Sequence, residues 1–450
     1  MAACDICGKE FMNTAGLKKH NKRKTPCKSS EPKEPKELKE PKEPKELKEP
    51  KEPKEIETEF REISKKFNKL LSKEDRQQEG IFFTPKKARS LVFTKLKEYG
   101  VNPRKVLEPS FGSGEFLFDI QSEYPDAELF GVEKNEELFN ELFNEYFNTV
   151  ECKANLTCCD FLIWEGKVDL IIANPPYFVI KSDMTAKEKK EFNQKYLISG
   201  RPNIYILFLY KCLTEHLETD GFLAFIIPTS LYNCSYYQKV RNYIQEHTTI
   251  KYVETLNKPG FYETGQETML IIIQKNKTND DYIFRSNSGN IYISPYYKEL
   301  YDITKDTQTL TDLGLGAKTG NITWNQHKDK IGDTGKLLIY SGNIRNSELN
   351  LNISKKQYIH IDKPTIDGPV ILVERGYGNS LSFNSVLVEQ TDFYAENHIN
   401  VIYPIIPEAA ENLDRVLKSF QDERTKQFLK WFIGNGSISA TDIETNIPIF

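Results

Sequence analysis

The stretch VDLIIANPPY, residues 168–177, decides the fold of this 450-residue chain. Its first six residues form a short and almost wholly apolar run, which is typical of a strand buried on both faces of a parallel sheet. Between about residues 80 and 275, helical patterns separate four further runs of this kind: KVLEP, ELFGVE, GFLAFIIP and TMLIIIQ. The alternation predicts a doubly wound α/β domain, with helices on both faces of a Rossmann-like sheet.

The tetrapeptide Asn174-Pro175-Pro176-Tyr177 ends this strand at the carboxyl edge of the predicted sheet, where open α/β folds bind ligands. The two prolines fix two successive φ angles, so the Asn174 side chain and the neighbouring carbonyl are held in place. Two such acceptors on one NH2 group favour a more tetrahedral, more nucleophilic nitrogen. We therefore interpret Asn174 as a candidate catalytic residue.

A second motif, VLEPSFGSGEF at 106–116, places Glu108 at the end of a strand and Gly112 and Gly114 before a helix. Glycines at this point let the backbone approach a ligand at the helix N-terminus. Taken alone, the motif fits a tight strand-to-helix turn equally well.

Two further carboxylates indicate a ligand that contains a nucleoside. Glu133 ends the next strand, where an acidic side chain commonly accepts hydrogen bonds from ribose hydroxyls. Asp160 and Phe161 follow another apolar segment, where they can bind an adenine amino group and cover its ring. No lysine follows the glycine loop and no second phosphate-binding glycine appears, which favours S-adenosylmethionine over ATP and NAD.

Seven motifs in one order resemble the gamma class of DNA adenine-N6 methyltransferases, the TaqI-like group: FFTP (82–85), LEPSFGSGEF, LFGVE, CDFLIWE, NPPY, PNIYILFL (202–209) and GFLAFIIPTSLY (221–232). The resemblance covers roughly residues 80–275. It implies a site-specific enzyme that transfers a methyl group from S-adenosylmethionine to N6 of an adenine flipped out of double-stranded DNA.

The resemblance also assigns roles to single residues. Asn174 and Pro175 would hold the target amine beside Pro176, and Tyr177 would stack on the extruded base. Phe261, in GFYETGQETMLIII, matches the second stacking aromatic, with a spacing that differs by about one residue. From its methionine end to its adenine end, the cofactor would contact Thr84, Pro85, Glu108, Pro109, Gly112, Gly114, Glu133, Asp160 and Phe161.

Residues 276–450 change to short apolar runs and glycine turns, with a late helical stretch at about 408–431. The resemblance implies an α+β target recognition domain here. Arg375 and Tyr377 lie in VILVERGYGNSL (370–381), which fits either a base-reading turn or a plain surface hairpin.

The N-terminus predicts a structural zinc site. Cys4, Cys7, His20 and Cys27 follow the spacing C-x2-C-x12-H-x6-C, which suits tetrahedral zinc. The pattern resembles a two-Cys, two-His zinc finger whose last ligand is changed to cysteine. Both nucleic-acid tethering and protein contact are open as the role of such a finger.

Charge and repeats divide the chain further. The net charge is −4, but residues 1–30 carry seven Lys/Arg against Asp5 and Glu10. Residues 31–57 repeat Glu-Pro-Lys and Glu-Leu-Lys, and the regular prolines block helix formation, so we expect a linker. We therefore predict a finger at 1–30, the linker at 31–57, a methyltransferase domain at 58–275 and the recognition domain at 276–450.

Several function classes are disfavoured. No signal peptide or membrane-length apolar run is visible, and the eight cysteines form no disulfide framework, so we expect an intracellular protein that is neither secreted nor membrane-bound. No nuclease motif is found, which makes any cognate restriction endonuclease a separate partner. Methylation of RNA adenine or of protein glutamine, and a non-catalytic DNA-binding scaffold, are the alternative functions.

Overall fold

A computed structural model of the protein describes most of the chain after residue 60. The described residues are 2–3, 10–11, 60–70, 83–149, 154–180, 186–197, 203–256, 267–351, 357–376, 383–432 and 438–450. The chain divides into two units, Met1–Glu52 and Pro53–Phe450. In the first unit, strand β1 (Ala2–Ala3) pairs with the antiparallel strand β2 (Glu10–Phe11).

The second unit begins with alternating strands and helices. In chain order these elements are α1 (Glu62–Leu70), α2 (Lys86–Glu98), β3 (Lys105–Glu108), α3 (Glu115–Glu123), β4 (Glu128–Glu133), α4 (Glu136–Thr149), β5 (Ala154–Cys158), β6 (Val168–Ala173), α5 (Ala186–Lys195), α6 (Ile204–Lys211), β7 (Leu217–Pro228), α7 (Gln238–His247), β8 (Thr249–Leu256) and β9 (Thr268–Gln274). They form the α/β pattern that the sequence predicts.

Seven of these strands build one sheet in the order β5-β4-β3-β6-β7-β9-β8. All neighbouring pairs from β5 to β7 are parallel, while β9 runs antiparallel to both β7 and β8. Strand β6 therefore lies in the middle of the sheet, as its continuous apolar run requires. The expected mixed α/β architecture around a mostly parallel sheet is confirmed.

Successive residues of β6 enter two different cores, one on each face of the sheet. Leu170 and Ile172 belong to a core that includes side chains of helices α2, α3 and α4. Ile171 and Ala173 belong to a second core with side chains of α6 and α7. Because burying one Leu or Ile side chain contributes about 1.5–3 kcal/mol, this alternation fixes the strand in register and in position.

The remaining part of the unit is rich in short strands, with helices near its end. Its elements are β10 (Ile283–Arg285), β11 (Ile291–Ile293), α8 (Tyr297–Thr304), β12 (Leu315–Thr319), β13 (Ile331–Gly332), β14 (Lys336–Ile339), β15 (Ile344–Arg345), β16 (Glu348–Leu349), β17 (Tyr358–Ile359), β18 (Val370–Glu374), β19 (Ser385–Val388), β20 (Phe393–Ala395), β21 (Ile399–Pro404), α9 (Leu413–Gln421), α10 (Glu423–Phe432) and α11 (Ala440–Thr445). Two four-stranded sheets result, β12-β21-β18-β19 and β13-β17-β14-β20. A role in target recognition stays a prediction.

The described ranges contain neither a membrane-spanning helix nor a metal-binding cluster. None of the helices described there combines the length and the apolar character that a membrane crossing requires. Within the same ranges, no group of three or more His, Cys, Asp or Glu side chains is placed to hold a metal ion. The predicted zinc ligands Cys4, Cys7, His20 and Cys27 lie outside the described residues.

A fully buried arginine joins α7 to the strands that follow the sheet. The Arg241 guanidinium donates hydrogen bonds to the carbonyl oxygens of Ile291 at 2.5 Å, Cys234 at 2.8 Å and Leu231 at 3.3 Å. Burial lowers the pKa of Arg241 to about 10, so it keeps its charge at neutral pH. Three backbone acceptors thus depend on one side chain.

Replacing Arg241 with methionine should lower the free energy of unfolding by at least about 3 kcal/mol, because buried carbonyls would lose their donor. Lys239→Met, on an exposed position of the same helix, is the matched control and should cost less than about 0.5 kcal/mol. Urea unfolding followed by fluorescence measures both. Equal losses would show that the Arg241 contacts contribute little.

Candidate active site

Four polar side chains meet where adjacent parallel strands end. Glu108 ends β3 and Glu133 ends β4, while Asp160 and Asn174 follow β5 and β6 closely. Since β5, β4, β3 and β6 are neighbours, their carboxyl ends form one continuous edge. A cavity of about 480 Å³ lies there, and all four side chains line it. This volume is within the range of small-molecule and cofactor sites.

The glycine loop forms one wall of the cavity. Gly112 and Gly114 have φ angles of 53° and 77°, the left-handed region that favours glycine. A side chain at Gly114 would meet Leu142 Cδ1 at 2.9 Å and Phe118 Cε2 at 3.2 Å. The loop therefore turns tightly into helix α3, which begins at Glu115.

Glu133 is held against this loop by backbone donors. Its Oε2 accepts a hydrogen bond from the Gly112 amide at 2.8 Å, and its Oε1 accepts one from the Asn135 amide at 2.7 Å. A carboxylate oxygen can in general accept more than one hydrogen bond. The carboxylate is thus oriented in advance for hydroxyl groups of a ligand.

Glu108 lies deeper and is only 2% exposed. Within the described part of the chain its Oε2 atom is buried without a hydrogen-bond partner. Burial, with the nearby charges of Asp119 and Glu133, raises the pKa of Glu108 well above its usual value. A buried carboxyl of this kind is stabilised by a cationic or hydrogen-donating ligand group.

Asp160 begins a short helical turn, Phe161–Ile163, by accepting a hydrogen bond from the Leu162 amide at 2.9 Å. Its other oxygen accepts one from Lys134 Nζ at 2.8 Å. Burial by itself would raise the pKa of Asp160, but these hydrogen bonds outweigh it and lower the pKa below its usual value. The ring of Phe161 lies beside Asp160 and also lines the cavity.

Asn174 contacts two hydroxyl groups. Its Nδ2 atom is placed 3.0 Å from Thr84 Oγ1, and its Oδ1 atom is placed beside the Tyr177 hydroxyl. The Tyr177 hydroxyl also lies 2.6 Å from the carbonyl oxygen of Ile226. Asn174 is half-buried and faces the cavity.

The Tyr177 ring differs in placement from the stacking position that we expected. It is 6% exposed and packs edge to face against Tyr205, and it does not line the cavity. Phe178, the next residue, lines the cavity instead. The Pro-Pro corner turns the chain so that the first aromatic enters the core and the second faces the cavity.

The structure brings most of the predicted site together. Eight of the expected cofactor and catalytic residues line the cavity beside Asn174, namely Thr84, Glu108, Pro109, Gly112, Glu133, Asp160, Phe161 and Pro176. Pro85, Gly114 and Pro175 lie next to lining residues; Pro85 is the N-cap of helix α2. Phe261 lies outside the described residues.

Sequence reasoning did not assign several lining residues: Phe83, Ser110, Phe111, Lys134, Asn135, Leu138, Phe178, Ile204 and Phe208. Phe83 and Phe208 belong to motifs that we quoted, FFTP and PNIYILFL, so a signal was present. Leu138 comes from helix α4 and follows no motif. Leu138 reaches the cavity because of the way that helix packs against the sheet, and the sequence pattern does not predict this packing.

Arg375 is a structural residue in this arrangement. Its Nη1 donates to the carbonyl oxygen of Asn397 at 3.1 Å, and its backbone pairs with His398 and Ile438. Tyr377 lies outside the described residues.

Comparison with known proteins gives matches over most of the chain. The family model of the Eco57I restriction-modification methylase matches residues 53–261. Type II methyltransferase M.CvrRI of Paramecium bursaria Chlorella virus XZ-6E is 30% identical over 403 residues, covering 87% of this chain and 99% of the relative. Modification methylase CviBIII of Paramecium bursaria Chlorella virus NC1A is 29% identical with the same coverage. Among solved structures, the M protein of type I restriction enzyme EcoKI aligns at 16% identity and TM-score 0.35 over 44% of this chain and 45% of that one.

The chain combines a seven-stranded, mostly parallel sheet and a cavity at its carboxyl edge with relatives that are methyltransferases, which places it in that class of enzyme. The chain belongs to the type II methyltransferase family of restriction-modification systems.

The loop geometry gives a test of the cavity. Gly114→Ala should weaken the binding of S-adenosylmethionine by about tenfold or more, because its methyl group would meet Leu142 at 2.9 Å and so shift this wall of the cavity. Gly100→Ala is the matched control, since Gly100 has a φ of 65° but open space around it. Isothermal titration should show near-normal affinity for the control. Normal affinity of both variants would contradict the assignment of this wall.

Proposed function

We propose that the chain transfers a methyl group from S-adenosylmethionine to N6 of an adenine in double-stranded DNA. The observation that carries the proposal is that Asn174 and three ligand-type carboxylates line one cavity. Membership of a type II methyltransferase family supports DNA as the substrate. The choice of adenine rests on the Asn-Pro-Pro-Tyr corner.

The residues present fit S-adenosylmethionine on their own chemistry. The unpartnered oxygen of Glu108 suits the ammonium group of the methionine part, and the oriented Glu133 carboxylate suits ribose hydroxyls. Asp160 and Phe161 suit an adenine ring. Pro109 and the Gly112–Gly114 loop would enclose the middle of the molecule, and Thr84 and Pro85 would lie at its methionine end.

When bound, S-adenosylmethionine supplies an electrophilic methyl group. Asn174 would accept one hydrogen of the target amine through its side-chain oxygen, and the carbonyl of Pro175 would accept the other. Since Pro176 fixes the corner, both acceptors keep their positions as the base arrives. The chain's contribution is thus to hold the nitrogen in line and to favour its lone pair.

The target base has to leave the duplex, because N6 lies inside the stack. Extrusion costs a few kcal/mol, and each aromatic stacking contact recovers about 1–3 kcal/mol. Phe178 lines the cavity and is available for such a contact, in addition to Tyr177 and Phe261.

The other parts of the chain complete the proposal. Residues 276–450 would read the target sequence. Cys4, Cys7, His20 and Cys27 would hold a structural zinc ion, and the basic segment around them would add phosphate contacts. A cognate restriction endonuclease would be a separate, intracellular partner.

Replacement of Asn174 by alanine should lower methyl transfer to DNA by at least about 100-fold, because one oriented acceptor at the reacting nitrogen is lost. Binding of S-adenosylmethionine should stay within about threefold of normal. The assay uses radiolabelled cofactor and unmethylated duplex DNA, followed by nucleoside analysis. Label in cytosine, or methylation of RNA or protein alone, would overturn the proposal.

Binding of S-adenosylmethionine should weaken as the pH falls. The raised pKa means that a proton on Glu108 competes with the ligand's cation, so binding releases this proton. Titrations in two buffers of different ionisation enthalpy should reveal proton release. Glu108→Gln should remove the release and weaken binding by about 10- to 100-fold. Proton release that persists in this variant would exclude Glu108 as its source.

A further inference from the structure

The Asn174 amide lies between two hydroxyl groups that come from different elements. Thr84, just before helix α2, contacts one end of the amide at 3.0 Å. The Tyr177 hydroxyl contacts the other end. Both side chains are buried, at 3% and 6% exposure. The amide therefore has fixed partners at both ends.

Proton counting gives the direction of the amide. The Tyr177 hydroxyl has a single hydrogen, and burial raises the pKa of Tyr177, so this hydrogen is retained. The Ile226 carbonyl, 2.6 Å away, can only accept it. The hydroxyl oxygen of Tyr177 is then left as an acceptor. The amide end beside it is therefore best satisfied as a donor, the NH2 group. Because the two ends of an Asn amide have nearly the same shape, a half-turn about χ2 exchanges them and brings the NH2 group beside Tyr177.

The other end of the amide, the oxygen, then lies beside Thr84. This is the cavity side, since Thr84 and Asn174 both line the cavity and Tyr177 does not. The Thr84 hydroxyl can donate to one lone pair of the oxygen and leave the second for a target amine. All three groups obtain a partner in this orientation.

Thr84 is itself held firmly. Its carbonyl oxygen accepts a hydrogen bond from Arg89 Nη1, and Arg89 is buried. The same guanidinium pairs with Glu115 at 2.8 Å and with Asp119 at 2.6 Å. Glu115 directly follows the glycine loop, so Thr84 is tied to the element that forms the cofactor wall.

We infer that Thr84 and Tyr177 are positioning residues for Asn174: the Thr84 hydroxyl holds the amide oxygen toward the cavity, and the Tyr177 hydroxyl holds the NH2 group away from it. The inference rests on the proposed function. Without these hydroxyls the amide can turn its NH2 group to the target amine, and an NH2 group cannot accept a hydrogen.

The test compares full-length variants under single-turnover conditions. Thr84→Val removes the hydroxyl and keeps the shape, Thr84→Ser restores the hydroxyl, and Tyr177→Phe keeps only the ring. We expect T84V and Y177F to transfer methyl groups to unmethylated duplex DNA about tenfold or more slowly at saturating S-adenosylmethionine, where a change in cofactor affinity no longer affects the rate. T84S should recover most of the rate. Thr84→Ala is a second hydroxyl-free variant should T84V fail to fold.

Each outcome has one meaning. A normal rate for T84V, or a slow rate for T84S, would overturn the role of the Thr84 hydroxyl. A normal rate for Y177F would show that Tyr177 acts through its ring alone. A T84V defect that appears wholly as lost cofactor affinity would place Thr84 on the cofactor rather than on Asn174. If the wild-type protein methylates no DNA base, the proposed function fails and the inference with it.

Discussion

The parallel pairing of β5, β4, β3 and β6 is the constraint on which the site depends. Parallel strands bring their carboxyl ends to one edge, so the polar residues at these strand ends, separated by up to 66 positions along the chain, line one cavity. Glu108 and Asn174, at the ends of neighbouring strands, show this directly. The two cores on either face of β6 hold this edge in place, because a shift of one residue would exchange its buried faces.

A buried ionic cluster supports the same edge from the outside. Arg89 pairs with Glu115 and Asp119, and Ser64 Oγ lies 2.6 Å from both Ser113 Oγ and Glu115 Oε1. Helices α1, α2 and α3 are therefore joined next to the glycine loop. Buried ion pairs contribute little net stability compared with apolar packing, but they fix geometry. We interpret the cluster as the device that keeps the cofactor wall rigid.

The sequence predicted the central strands and the polar residues at their ends. Strands β3, β4, β6, β7 and β9 appeared as apolar runs because they are buried on both faces. The edge strands β5 and β8 were not among those runs, since half-exposed edges carry polar residues as well. The late helical stretch contains two α-helices, α9 and α10. They are separated at Asp422, which caps the end of α9 and accepts a hydrogen bond from the Arg424 amide of α10.

Within the site, the sequence did not predict which way individual side chains point. Two aromatics, Tyr177 and Phe178, follow the prolines, and only the path of the corner decides which one faces the cavity. Likewise, the tie between Thr84 and Asn174 joins positions ninety residues apart and follows no spacing rule. Such contacts arise from tertiary packing, whereas strand-end carboxylates follow from topology alone.

The most direct test of the account is a crystal structure with sinefungin, the amine analogue of S-adenosylmethionine. Its α-ammonium group should contact Glu108, and its ribose hydroxyls should contact Glu133. The Asn174 amide should face the added amine, with room for a purine ring between Asn174 and Phe178. Two results would contradict the central claim that one sheet edge holds both the cofactor and the target base. The analogue could bind elsewhere, or it could bind so that it leaves no room for a purine ring beside Asn174.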